Sequence, residues 1–182
     1  MKVLMFIAEK TQRAEFVTAY DVFLRAGLEV KIIGQTQIIK DDSTQIVGYG
    51  FSSNEDFNQY SAIVFPGGRG GVESIKQTFV GNELGNRLIE YSNSSKLVAA
   101  ICAAPTILGE LGLLKNKNFT CYPGFEGNHF GGNYLGDTVV KDGNLITGRS
   151  MYYTADFALE IVEYLLGKEE RNRVERQIKG IH

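Results

Sequence analysis

The stretch "LVAAICAAPTILGELG", Leu97 to Gly112, decides the fold. Five apolar residues in a row, without alternation, suit a strand buried on both faces, and such strands belong to parallel sheets covered by helices. The run stops at Cys102, and Ala103, Ala104 and Pro105 lead straight into a helical pattern. A sharp turn from strand to helix needs small residues, because larger side chains collide where the backbone reverses, and the residue at the turn sits in strained φ/ψ space. Pro105 falls in the first helical turn, where its missing N–H costs nothing. A turn of this kind presents its central side chain at the rim of the sheet, beside a helix start that favours a thiolate. A free cysteine is also a common small buried hydrophobe, and spacing alone is equally compatible with either state.

Working outward, "KVLMFIA" (Lys2 to Ala8), "EVKIIG" (Glu29 to Gly34) and "SAIVFPGG" (Ser61 to Gly68) read as further strands. Apolar residues at helical spacing mark helices over Ala14–Gly27, Asn82–Ser95, Ala104–Leu114 and Thr154–Gly167, the last with Thr154 as its cap. "FTCYP" (Phe119 to Pro123) reads as a short strand, "QIVGYG" as an extended piece, and "SSNEDFNQY" as a polar, helical connection. "DTVVKDGNLITGR" reads as a hairpin turning at Asp142-Gly143. Strands alternating with helices predict an α/β fold, a mostly parallel central sheet with helices on both faces. Ligands then bind outside the carboxyl ends of the strands, where the loop after Ala8, the "PGG" after Phe65 and Cys102 are expected to meet.

The length of 182 residues fits one domain spanning 1–182. Net charge is −2 with no dense basic block, which disfavours nucleic acid as a partner, and no apolar run approaches the roughly 20 residues of a membrane span. Two cysteines, Cys102 and Cys121, and two histidines, His129 and His182, lack zinc spacing, and a reducing cytoplasm is the simplest location.

Glu15 stands near the start of the first helix, on the side facing the sheet rim. Apolar surroundings would push its carboxyl toward protonation, so that it donates to a thiolate; an acid in a first helical turn is also favoured by the dipole alone. Gly67 and Gly68 allow backbone N–H groups to approach a ligand and build an oxyanion hole with the amide of Ala103, or simply make a turn. Asp21 and Arg25 are placed to pair on the helix surface or across a dimer contact.

Taken together, "AAICAAPTIL", "IVFPGG", Glu15 leading into "DVFLRAG", and "VVKDGNLITGRS" followed by "FALEIVEYLLGKE" resemble the ThiJ/PfpI superfamily, over Lys2 to about Glu169. The resemblance implies a flavodoxin-like three-layer sandwich, a homodimer, and a reactive Cys102 bonded to protonated Glu15. It implies cofactor-independent, glyoxalase III- or deglycase-like chemistry on reactive carbonyls, methylglyoxal to lactate, or a redox-sensing or chaperone role with Cys102 oxidised to sulfinate. Two positions depart from the family pattern. Ala103 stands where the protease-like branch has histidine, so a Cys-His peptidase is poorly supported. Tyr122 stands where another branch has a histidine base, leaving Glu15 to move protons or the Tyr122 hydroxyl to orient substrate. His129 reads as a surface residue, and Cys121 as a resolving thiol only if it faces Cys102, which strand alternation disfavours if Tyr122 points at the site.

Overall fold

A computed structural model describes residues 1–34 and 55–181, and between them only the backbone of 38–41, 44–47 and 49–50. The strands are β1 (Lys2–Ile7), β2 (Glu29–Gly34), β3 (Ile38–Asp41), β4 (Thr44–Val47), β5 (Tyr49–Gly50), β6 (Ala62–Phe65), β7 (Leu97–Ile101), β8 (Asn118–Phe119), β9 (Asn133–Tyr134), β10 (Val139–Asp142) and β11 (Leu145–Gly148). The helices are α1 (Arg13–Arg25), α2 (Arg69–Phe79), α3 (Glu83–Asn93), α4 (Pro105–Glu110), α5 (Thr154–Leu166) and α6 (Lys168–Lys179).

Seven strands form one sheet in the order β10-β11-β7-β6-β1-β2-β5, parallel except for the edge strand β10. The central strands β6 and β7 are buried at every residue, and β1 at all but its first. This is why they read as continuous apolar runs. Alternate residues serve opposite faces. Leu4, Phe6, Ile63 and Phe65 pack against α2, α3 and α4, with Phe6 stacked on Phe65 and edge-on to Phe79. Val3, Met5, Val64 and Ala99 pack against α1 and α5, and Val174 of α6 closes the same core. The sandwich expected from the sequence is the one formed. None of the described helices is long and apolar enough to cross a membrane.

Local details differ from expectation. Helix α2, hidden by Gly70 and Gly71, follows "PGG" directly. Helix α4 is short, because the chain turns at Leu111 and Gly112 takes φ +76°. The strand expected over 119–123 is confined to Asn118–Phe119, paired with β9. Thr154 is the first helical residue rather than a cap, and its hydroxyl donates to the Met151 carbonyl. Within "SSNEDFNQY", Phe57–Gln59 form a single 3₁₀ turn, and residues 52–54 lie outside those described.

The parallel register aligns the carboxyl ends of the strands. Phe65 sits beside Ala100, and Ile101 beside Gly148. The chain leaves β1 toward β2 on one side and leaves β6 toward β7 on the other, which opens a crevice between β1 and β6 at this rim.

Candidate active site

Cys102 follows β7 with φ +65°, a left-handed conformation that costs a residue with a side chain about 1–2 kcal/mol. Surrounding bonds hold it there. Its N–H donates to the Gly148 carbonyl (2.9 Å), and its own carbonyl accepts from the Tyr122 N–H (2.8 Å). Ala103 and Ala104 are fully packed beneath it, so the small residues of the elbow are required by the core. The Cys102 side chain remains partly exposed, whereas Cys121 is 1% exposed within the opposite core.

Glu15 lies in the first turn of α1 and is completely buried. One carboxyl oxygen, Oε2, accepts from the Gly67 N–H at 2.8 Å. The other, Oε1, has no hydrogen bond of good geometry, although the carboxyl and the Cys102 thiol lie close enough to shift each other's protonation. A buried oxygen without a donor is best satisfied by carrying the proton itself. Gly67 is obligatory at this junction. A Cβ there would lie 2.6 Å from Glu15 Oε2, 2.7 Å from the Cys102 Cβ and 2.8 Å from the Ile101 carbonyl oxygen. Gly68 has φ +98°, and a Cβ on it would meet the Gln12 nitrogen at 2.5 Å. The loop after β1 is locked onto this turn, the Gln12 N–H donating to the Gly67 carbonyl at 2.9 Å.

Electrostatics correct one expectation. The thiol is not lowered as an isolated group. Burial, then the charge and hydrogen bond of Glu15, push Cys102 up to about 12, against the lowering effect of the Ala103 and Gly68 amides. Burial also raises the Glu15 carboxyl. A second negative charge in this site is therefore strongly disfavoured: once the pair has lost one proton, sulfur and carboxyl share the other.

The sulfur faces an open cleft of about 440 Å³. Its floor is Cys102, Glu15, Gly68 and Ala103. Tyr122, Phe125, Met151 and Tyr152 form apolar walls, with Tyr122 and Phe125 edge to face at 6.2 Å. Gln12, Arg69 and Ser150 add polar groups.

Of the residues singled out from sequence, Cys102, Glu15, Gly68, Ala103 and Tyr122 meet at this cleft. Gly67 stands behind it, its amide committed to Glu15. His129 is exposed and elsewhere, its ring 6.0 Å from that of Tyr134. Arg25 Nε donates to Asp21 Oδ2 at 2.6 Å along the surface of α1. Gln12, Arg69, Phe125, Ser150, Met151 and Tyr152 were not anticipated. Ser150 was findable, since it lies just beyond the carboxyl end of β11.

The sequence profile of the DJ-1/PfpI family matches residues 1–164. The chain is 34% identical to protein dj-1beta of Drosophila melanogaster over 193 aligned positions, covering 98% of this chain and 95% of that protein. It is 32% identical to the Parkinson disease protein 7 homolog of Danio rerio, covering 92% of this chain and 91% of that one. The crystal structure of Drosophila melanogaster DJ-1beta superposes with a TM-score of 0.84 at 32% identity, covering 100% of this chain and 98% of that one. With the sheet order, the cysteine elbow and full-length similarity in agreement, the chain belongs to the DJ-1/PfpI family.

Proposed function

We propose that this protein is a cysteine-dependent, cofactor-independent enzyme that converts small reactive carbonyls such as methylglyoxal to α-hydroxy acids. The observation that carries the reading is a cysteine sulfur open to a cleft, with two backbone amides directed at it and a buried carboxyl beside it. The reactive form of the pair has the charge on sulfur and the proton on Glu15. Sulfur adds to the aldehyde carbon, the amides of Gly68 and Ala103 stabilise the oxyanion, and Glu15 gives it its proton, leaving a hemithioacetal and a Glu15 carboxylate. Glu15 removes the proton from that carbon and returns one to the neighbouring carbonyl carbon, through an enediol. The oxidation of one carbon balances the reduction of the other, leaving a lactoyl thioester. Water hydrolyses it to lactate and restores the thiol, so the sum is methylglyoxal plus water giving lactate. The Tyr122 hydroxyl orients the substrate in place of a histidine. The test is lactate release from methylglyoxal in metal-free buffer. Cys102→Ser is expected to abolish it, and equal release from variant and wild type would end this reading.

A redox role is favoured by one observation, the contrast between a reachable Cys102 and a sealed Cys121. A similar solved structure, at 27% identity and a TM-score of 0.84, is described as oxidised Toxoplasma gondii DJ-1. Here thiolate attack on one peroxide gives sulfenate and water, and a second peroxide gives sulfinate. Graded peroxide with intact-mass detection decides: two oxygens on Cys102 without carbonyl turnover supports sensing, and parallel oxidation of both cysteines rejects it.

A further inference from the structure

We infer that Arg69 is the anion-recognition residue of the cleft, and that the carbonyl substrate it favours accordingly carries a carboxylate or phosphate group. The inference rests on the carbonyl chemistry proposed above. Arg69 is the only basic side chain lining the cleft among the described residues, on the same cavity as Cys102. It is the first residue of α2, directly after Gly68, whose amide faces the sulfur. An anionic group held by Arg69 thus lies one residue from the oxyanion donor. Arg25, Arg171 and Arg173 pair with acids on their own helices, whereas Arg69 is exposed and carries no ion pair or hydrogen bond among the described residues. The reactive form of the Cys102–Glu15 pair carries one negative charge, so an anionic electrophile approaching it is repelled unless a cation compensates. A guanidinium fork is suited to that task, since it grips a planar carboxylate or a phosphate through two donors. The aromatic walls and the Gln12 and Ser150 side chains carry no charge to compete with it.

The test uses alkylation of the purified full chain, which reads whether or not turnover occurs. Iodoacetate and iodoacetamide differ in charge and report the same sulfur, so the ratio of their rates on Cys102 cancels changes in thiol reactivity. Arg69→Gln is expected to lower the iodoacetate-to-iodoacetamide ratio about fivefold, and Arg69→Lys to retain most of it. In parallel, glyoxylate and glycolaldehyde phosphate are compared with neutral glyoxal as protectants of Cys102 against iodoacetamide. Wild type is expected to prefer one anion over glyoxal, and which one identifies the substituent; Arg69→Gln is expected to lose that preference. An identical alkylation ratio in wild type and Arg69→Gln, or equal protection by anionic and neutral aldehydes in wild type, would overturn the inference. Methylglyoxal turnover lost in Cys102→Ser with no effect at Arg69 would sink this inference alone; an intact Arg69 effect without turnover would sink the enzymatic reading alone.

Discussion

The shared proton of Cys102 and Glu15 makes an unusual kinetic prediction. A lone thiol with a pKa of about 8.5 ionises progressively, so its alkylation rate rises about fiftyfold between pH 6.5 and pH 8.5. In the pair, loss of the second proton is pushed to about 12. Between the raised carboxyl value and that limit, one proton moves between the Glu15 carboxyl and Sγ without leaving the site. The fraction with charge on sulfur is then a tautomer ratio, independent of pH. Alkylation of wild-type Cys102 by iodoacetamide should therefore change less than about twofold over the same two pH units, against the fiftyfold change of a lone thiol. Glu15→Gln removes the second site and restores a single titration, with the rate climbing about tenfold per pH unit below its midpoint. Mass spectrometry of Cys102 after timed iodoacetamide pulses measures both. A wild-type rate that climbs tenfold per unit, like that of Glu15→Gln, would refute the shared proton.

Other outcomes follow from the same geometry. Gly67→Ala forces a methyl group within 2.6 Å of Glu15 Oε2 and 2.8 Å of the Ile101 carbonyl oxygen. Relief by backbone movement should destabilise the protein by about 1–3 kcal/mol in urea unfolding. Thr147→Val removes the hydroxyl that accepts from the buried Thr120 N–H at 2.9 Å, and the orphaned donor should cost about 1–3 kcal/mol by the same measurement. Glu15 is raised by burial, so folding favours its protonated form: the resulting stability is full below the ordinary value of 4.5 and is lost as pH rises through the folded value. Glu15→Gln should accordingly lose less unfolding free energy than wild type between pH 5 and pH 8, read from urea curves at each pH.

Much of this molecule is written locally. Unalternating apolar runs at β1, β6 and β7 report burial on both faces, because a strand between two helical layers has no wet side. The alanines around Cys102 announce the elbow, since the space under a tight turn excludes anything larger. Helix α2 was hidden because its glycines answer to a distant loop: a Cβ on Gly70 would meet Lys10 Cδ at 2.7 Å, and on Gly71 the Thr11 nitrogen at 2.8 Å. That same close approach carries Arg69 to the cleft, which no periodicity could reveal. The charge of the site was likewise decided by assembly. Sequence suggested an activated sulfur from its helix start, yet its protonation depends on how deeply Glu15 is buried and on which oxygen Gly67 occupies. Local pattern records which face of each element leaves water; it carries no record of which polar groups, brought from separate strands, must share one dry space and therefore one proton.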